Sequence, residues 1–346
     1  MRRLLNTIYV TSEGAWLCKD GANLVVEVDG AERGRVPLHL LDGVVSFGRT
    51  GASPALMAAC AEAGVTLSHL APTGRFLARV EGARTGNVLL RRAQYRAADD
   101  PVRSVPVVRA VVAAKVANQR AVLRRALRDH GADMAEAPRV ALEEAERHLT
   151  DAGRRTLAAA GVVDARGVEG EAASAYFAVF DHLVRAEGDA FRFRGRSRRP
   201  PLDRINALLS FLYAMLGHDC RSALEAHGLD PQVGFLHADR PGRAGLALDL
   251  MEELRPVLAD RLALSLINRR QLGPGDFVVE AAGGVRLTED ARKTVLTAWQ
   301  ERKREELRHP FFDEKMPLGL VAPAQAQLLA RYLRGDLDGY PAFFWR

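Results

Sequence analysis

The stretch PVVRAVVAAKVANQRAVLRRALRDH, residues 106–130, determines the fold class of the larger part of the chain. Its apolar residues recur at intervals of three and four, with charged residues between them, which is the pattern of an amphipathic α-helix. The same pattern begins near residue 87 and continues to the end of the chain, interrupted by Gly-, Pro- and charge-rich loops at 192–201 and 268–277. We therefore predict a large all-α domain over residues 87–346.

The first 86 residues show a different pattern, in which short β-branched runs such as TIYVTSE and ERGRVPLHLLDGVVSFG are broken by Gly and Asp-Gly. Such breaks are typical of hairpins. One helix interrupts the strands, because Ser53 can cap it, Pro54 occupies its first position and Gly64 follows its end. The prediction is an α+β two-domain protein, with a small N-terminal β domain over 1–86 that contains one helix and a link near 84–88 to the helical domain.

The composition limits the class of protein. The chain has 346 residues, of which 48% are hydrophobic and 27% charged, as is typical of a soluble globular protein. No apolar run approaches the roughly 20 residues needed to cross a bilayer. The first ten residues lack the apolar segment of a signal peptide, so we expect a cytoplasmic protein without a membrane partner. The cysteines Cys18, Cys60 and Cys220 share no metal-binding spacing and are expected to be reduced.

Basic residues indicate a nucleic-acid partner. The net charge is +6 and nearly all the cations are arginines, whose planar guanidinium suits phosphate. The alternative is that an Ala- and Arg-rich chain reflects GC-rich coding. The loop at 192–201, with Phe191 and Phe193 beside its arginines, is either a path for a phosphate backbone or a solvated hinge. The candidate DNA-binding residues are Arg194, Arg196, Arg198, Arg199, Arg240 and Arg243.

A second notable stretch is GFLHADRPGRAGLALDLMEELRP, residues 234–256. A leucine at every fourth position predicts a helix, and Asp249 and Glu252 share one side of it at i and i+3, with Glu253 leaning the same way as Asp249. A solvated acidic face is the common explanation for such acids. The apolar flanking residues, and His237 just before the helix, favour a functional pair instead.

The third stretch is RGVEGEAASAYFAVF, residues 166–180, where Glu169 lies between Gly167 and Gly170 at the predicted start of a helix. An acid there could simply favour the helix dipole. Combined with His237 and the later acids, however, Glu169 would complete a set of nitrogen and oxygen ligands. Such a set suits Mg²⁺ or Mn²⁺ better than structural Zn²⁺. A divalent cation among arginines indicates phosphoryl transfer on a nucleic acid.

Several motifs in order resemble a known family. They include LLNTIYVTSEGAWL, VPLHLLDGVVSFGRTGASPALM, RGVEGEAASAYF, RRPPLDRINALLSFLYAML, GLDPQVGFLHADRPGRAGLALDLMEELRP, HPFFDEKMPLGL and QLLARYLRGDLDGYPAFFWR. Together they cover nearly the whole chain. The sequence resembles the CRISPR-associated integrases of the spacer-acquisition module, the first-numbered Cas proteins, and within them the subtype that accompanies type I-C systems.

The resemblance implies a site for Mg²⁺ or Mn²⁺ on the helical domain. The family's glutamate in G-x-E-G falls on Glu169, and its histidine in G-F-[LV]-H falls on His237. The third ligand, in the D-x-x-[DE] helix, falls on Glu252, with Asp249 as its near companion. Many members have Asp at the position of Glu252, so the choice between Asp249 and Glu252 as the direct ligand stays open.

The resemblance also implies the reaction and the partners. A 3′-hydroxyl of a short double-stranded DNA fragment attacks a phosphodiester at the edge of a CRISPR repeat, and water in place of the hydroxyl gives endonuclease activity. Family members dimerise through the β domain and assemble with a small ferredoxin-like second adaptation protein. One alternative is a branched-DNA repair nuclease that uses the same site. The other is a non-catalytic basic DNA-binding scaffold, and only this scaffold would have no use for Glu169, His237 and Glu252.

Overall fold

The chain folds as an N-terminal β-rich region followed by a larger helical region, which confirms the predicted α+β class. A computed structural model describes residues 6–82, 87–281 and 283–345. No helix within these ranges is both long enough and apolar enough to cross a membrane. The predicted link near 84–88 lies largely outside the described residues.

The chain divides into two compact units. The first comprises residues 1–85 together with 287–304, and the second comprises 86–286 together with 305–346. The sequence prediction placed everything after residue 86 in the helical domain, whereas the helix at 289–304 belongs to the first unit. Helical periodicity reports the type of an element, and it does not report which core the element packs against.

The elements of the first unit are β1 Thr7–Val10, β2 Trp16–Asp20, β3 Asn23–Val28, β4 Ala31–Pro37, β5 Gly43–Phe47, β6 Gly51–Ala52, α1 Pro54–Ala63, β7 Thr66–Leu70, β8 Phe76–Val80 and α9 Glu289–Arg304. Within the described residues its strands form two four-stranded sheets. One has the order β1-β5-β7-β8, with β8 antiparallel to β7 and the other pairs parallel. The other has the order β4-β3-β2-β6.

The local signals in this unit are confirmed. The Ser53 side chain accepts a hydrogen bond of 3.2 Å from the Leu56 N–H at the start of α1, and Gly64 ends the helix at φ +67°. Asp29 and Gly30 join β3 to β4 with φ of 52° and 75°, the left-handed backbone that a two-residue hairpin turn requires.

The second unit is built around the long helix α3 Pro101–His130. It also contains α2 Val88–Asp99, α4 Glu136–Ala158, α5 Val162–Ala178, α6 Arg204–Ala226, α7 Gly245–Leu254, α8 Arg261–Asn268 and α10 Val321–Arg334, with short strands β9 Phe277–Val279, β11 Glu306–Arg308 and β12 Lys315–Pro317. The strand β10 Val285–Leu287 belongs to this unit except for its last residue. Helix α3 packs against α4, α5 and α7. A segment of π-helix, residues 255–260, continues α7 into α8.

Polar residues on α3 fix its neighbours. The Asn118 side-chain amide donates to the backbone carbonyls of Glu253 (2.7 Å) and Phe343 (2.9 Å), and its carbonyl accepts from the Trp345 N–H (2.8 Å). Asn118 therefore joins α7 and the C-terminal segment to α3. One turn earlier, Lys115 points toward α5 and α7, the two helices that carry Glu169 and Glu252.

Candidate metal centre

Two glycines allow the turn that carries His237 to lie against the start of α7. A Cβ atom on Gly234 would be 2.7 Å from the Gly245 carbonyl carbon and 2.8 Å from Oδ2 of Asp249. A Cβ atom on Gly245 would be 2.8 Å from the Gln232 carbonyl oxygen. Because any side chain at either position would separate the two segments, both glycines are needed for this contact.

Asp249 holds this turn and orients the imidazole. Its carboxylate accepts backbone N–H bonds from Phe235 (2.6 Å), Leu236 (3.0 Å) and His237 (3.0 Å), and Nδ1 of His237 lies 2.6 Å from the same carboxylate. A carboxylate accepts hydrogen bonds, so in the neutral imidazole Nδ1 carries the proton and Nε2 keeps its lone pair. Nε2 lies 3.8 Å from Oε1 of Glu252.

Glu252 is buried between two cations. Nη1 of Arg255 is 2.9 Å from Oε1, and Nζ of Lys115 is 2.7 Å from Oε2. Oε2 is buried, and the Lys115 ammonium is its charge partner. Burial by itself would raise the pKa of Glu252. The positive charges of Arg255 and Lys115 together have the larger effect and lower the pKa from its ordinary value of 4.5 to about 2. The side chain therefore stays ionised at neutral pH.

Glu169 lies in the middle of α5 and not in its first turn, which corrects the prediction of a helix start at this residue. The helix begins seven residues earlier, at Val162. A favourable interaction with the helix dipole therefore does not explain Glu169, because that effect is confined to the first turn. Lys115 Nζ donates a hydrogen bond to the Glu169 carboxylate. An added Cβ atom on Gly167 or Gly170 would meet no other atom, so the helix surface beside Glu169 is open.

The structure thus brings the predicted acids and the histidine to one place, with two cations that the sequence prediction missed. Among the described residues, no three His, Cys, Asp or Glu side chains form a ready-made metal cluster; Lys115 lies between the carboxylates of Glu169 and Glu252. The donors nonetheless suit a divalent cation. They offer the buried Oε2 of Glu252, the lone pair of His237 and a position between two carboxylates that already holds a positive charge.

Both missed cations left a signal in the sequence. Lys115 is a single charge within the apolar run VVAAKVA, and a lysine at a buried helix position requires a partner. Arg255 follows Glu252 at i+3, the spacing of a helix ion pair. Neither signal specifies which carboxylate the cation meets across the fold.

Glu253 takes part in a different network, contrary to the prediction that it leans with Asp249. Its carboxylate accepts from the Tyr340 hydroxyl (2.6 Å), the Gln325 amide (2.9 Å) and the Phe343 N–H (2.6 Å). Burial raises the pKa of Glu253 to about 7, and these three hydrogen bonds offset part of that effect. Glu253 therefore fixes the C-terminal segment and does not face the metal centre.

A cleft of about 690 Å³ opens beside His237. It lies between the start of α3, the start of α5 and the turn at 234–239, and it is lined by apolar residues such as Val102 and Val163 together with Arg109 and Arg166. The Arg166 guanidinium donates to the Leu236 carbonyl (2.5 and 3.2 Å), which fixes the wall next to the imidazole. The cleft gives a ligand access to His237.

The candidate DNA-binding arginines divide into two groups. Arg196 points inward, where it donates to the carbonyl of Ser197 (2.5 Å) and the side chains of Asn206 (2.7 Å) and Ser210 (3.3 Å). Phe191 and Phe193, which the sequence places beside these arginines, are buried, so they are not available to contact DNA. The other candidates lie at the surface. Arg243 is half-buried, and the exposed ones are Arg194, Arg198, Arg199 and Arg240.

In structural terms this is an α+β protein with a buried acid–histidine cluster beside an open cleft. A family model described as "CRISPR associated protein Cas1" matches residues 8–301. The chain is 61% identical over 347 residues to "CRISPR-associated endonuclease Cas1 2" of Rhodospirillum rubrum, and 51% identical over 346 residues to "CRISPR-associated endonuclease Cas1 1" of Chlorobaculum tepidum. Both matches cover 100% of each chain.

The chain therefore belongs to the Cas1 family, which confirms the family resemblance predicted from the motifs. The solved structure of a Cas1 protein from Thermotoga maritima superimposes with a TM-score of 0.80 at 20% identity, covering 99% of this chain and 100% of that one. At this identity the similarity speaks for the fold alone, and it agrees with a β-rich region followed by a helical region.

Proposed function

We propose that this protein is a divalent-metal-dependent DNA integrase of CRISPR spacer acquisition, with associated DNA endonuclease activity. The observation that carries the proposal is the convergence of three separate segments: Glu169 and Glu252 both contact Lys115, and His237, which lines the cleft, lies 3.8 Å from Glu252. The curated relatives are named endonucleases, which supports phosphodiester chemistry. A scaffold without catalysis would gain nothing from burying these groups together, because buried charge is costly.

Glu169, Nε2 of His237 and Glu252 are the proposed ligands for Mg²⁺ or Mn²⁺. Asp249 is the positioning residue, since both of its oxygens already accept hydrogen bonds from the turn at 235–237. This is the arrangement in which a carboxylate orients a metal-binding histidine through its other ring nitrogen. It favours Glu252 over Asp249 as the third direct ligand.

The bound cation would activate the attacking 3′-hydroxyl and stabilise the charge that develops at the phosphodiester. The chain's own residues prepare for that step. Arg255 keeps Glu252 ionised, Asp249 fixes the His237 ring, and the cleft at 234–239 admits the end of a DNA fragment. The hydroxyl oxygen loses its proton and forms the new bond to phosphorus, while the bond from phosphorus to the 3′ oxygen of the adjoining nucleotide breaks. That oxygen takes up a proton and leaves as a 3′-hydroxyl, so the number of phosphodiesters is conserved. Water as the nucleophile gives endonuclease cleavage instead.

The partners follow from family membership and remain predictions. They are double-stranded DNA as spacer fragments and CRISPR repeat, a second copy of the chain joined through the β-rich unit, and the small ferredoxin-like second adaptation protein. A homodimer would supply two active sites, one for each end of a fragment. The type I-C-like subtype and the cytoplasmic location are likewise predictions from the sequence.

A strand-transfer assay with Mn²⁺ or Mg²⁺ tests the proposal. His237→Ala and Glu169→Ala should each lower the joining rate at least about a hundredfold, because each removes a proposed metal ligand. His227→Ala is the matched control, since that imidazole bonds the Ala223 carbonyl at the end of α6. Joining at the wild-type rate by His237→Ala and Glu169→Ala would show that the site assignment is wrong. A wild-type protein that binds DNA and never joins or cuts it would favour the scaffold alternative.

A further inference from the structure

Lys115 lies where a cation is needed and where a divalent ion would bind. Its side chain is 6% exposed, Nζ is 2.7 Å from Oε2 of Glu252, and Nζ also donates to the Glu169 carboxylate. These acids come from α7 and α5, so the ammonium joins two helices through their carboxylates. Without a positive charge at this point, the two anions would face each other in a site of low dielectric constant.

The charge balance of the cluster shows what a divalent ion would change. The formal charges are −1 for each of the acids Glu169, Asp249 and Glu252 and +1 for each of the two basic side chains that contact them, which gives a net charge of −1. A divalent cation would change this to +1 if every residue stayed in place. If the ammonium left the carboxylates, the sum would be zero. Buried net charge is unfavourable, so the ion and the ammonium compete for the same oxygens.

We propose that Lys115 is a placeholder cation, which occupies the space between Glu169 and Glu252 in the free protein and leaves it when the metal binds. The flexible lysine stem allows this exchange, which a rigid guanidinium would oppose. The inference rests on the proposed metal-dependent function and adds a consequence to it. A DNA phosphodiester brings a −1 charge to the metal-loaded cluster, and the displaced ammonium can bind its oxygen. Metal loading thereby becomes dependent on bound DNA.

Binding of Mn²⁺ tests the placeholder, with the free ion measured by electron paramagnetic resonance. In the absence of DNA, the full-length variant Lys115→Met should bind Mn²⁺ about tenfold or more tightly than wild type, because removing one nearby charge is worth at least about 1.4 kcal/mol in a partly buried site. A short duplex with a 3′-hydroxyl should tighten Mn²⁺ binding by wild type and change that of Lys115→Met little. Lys303→Met is the matched control, since that lysine is also buried but lies on α9.

Equal or weaker Mn²⁺ binding by a folded Lys115→Met protein would overturn the inference and leave the proposed metal site intact. If that variant does not fold, a wild-type crystal soaked in Mn²⁺ decides. An anomalous peak between Glu169 and Glu252 with Nζ moved away supports the placeholder, and a peak elsewhere with Nζ still between them refutes it. Failure of wild type and variant alike to bind Mn²⁺, even with DNA, would refute the proposed metal function itself.

Discussion

Glu252 and Glu253 are neighbours on α7, both nearly completely buried, and their pKa values move in opposite directions. Around Glu252, Arg255 and Lys115 outweigh burial and lower the pKa to about 2. Around Glu253, burial outweighs hydrogen bonds from Tyr340, Phe343 and Gln325, and raises the pKa to about 7. The difference is in the partners, which are cations in one network and neutral donors in the other.

The contrast separates an acid that can exchange one cation for another from an acid that holds the chain in place. Neutral donors in fixed directions make Glu253 part of the packing between α7 and the C-terminal segment. Asp260 belongs to the same class, because the hydroxyls of Tyr213 (2.6 Å) and Tyr176 (3.2 Å) donate to it, and burial raises its pKa to about 6. We therefore expect substitutions of Glu253 to lower stability and substitutions of Glu252, its neighbour on α7, to lower activity.

The largest expected effect is on stability, from Glu253→Ala. Losing the carboxylate leaves buried donors of Tyr340, Gln325 and Phe343 unsatisfied, and we expect the free energy of unfolding to fall by about 4 kcal/mol. Urea denaturation followed by circular dichroism measures this decrease. Glu301→Ala, at an exposed position on α9, is the control. A decrease of less than about 1 kcal/mol would show that this network is not a structural one.

Glu252→Gln should act on activity instead. The amide keeps the shape of the side chain but removes a proposed anionic ligand, so we expect strand transfer with Mn²⁺ to fall at least about a hundredfold, equivalent to roughly 3 kcal/mol of activation free energy. Circular dichroism should show a folded protein. Glu143→Gln, on α4 and away from the centre, serves as the control. Full activity in Glu252→Gln would contradict the distinction between the two glutamates.

Asp260 should give a pH-dependent stability that its amide variant lacks. The folded-state pKa of about 6 lies above the ordinary value of 3.8, so the folded protein binds more protons than the unfolded chain between these values. The free energy of unfolding of wild type should therefore fall by about 2 to 3 kcal/mol relative to Asp260→Asn as pH rises from about 4 to 7. Parallel pH profiles for the two proteins, measured by urea denaturation, would rule out this role for Asp260.

The smallest effects are expected at the arginines of the loop at 192–201, where exposed side chains should affect DNA binding and an internally bonded one should affect stability. Arg198→Ala with Arg199→Ala should lower the salt dependence of DNA binding by about 0.9 in slope for each phosphate that the protein no longer neutralises, without changing stability. Arg196→Ala should instead reduce the free energy of unfolding by about 1 to 2 kcal/mol, because its hydrogen bonds are internal. Titrations at several salt concentrations measure the slope. An unchanged slope in the double variant would mean that the loop is merely solvated.

Local signals predicted the elements of the fold well. The cap at Ser53, the glycine at 64 and the Asp29-Gly30 turn depend on backbone preferences that act within a few residues, and each is confirmed. The predicted start of α5 was wrong. Gly167 and Gly170 suggested a helix boundary, whereas both are helical residues inside α5. The helix at 289–304 was predicted to belong to the helical domain, whereas it belongs to the first unit. A helical pattern in the sequence does not indicate which core the helix packs against.

Periodicity and motif order, which can be read along the chain, were enough to predict the two-part α+β architecture, the family, and the three stretches that carry Glu169, His237 and Glu252. Three further features are visible only in the folded protein: Asp249 holds the histidine, Glu253 belongs to another network, and Lys115 lies between two acids. Those facts depend on which side chains meet across helices far apart in sequence, and burial then sets the strength of each interaction.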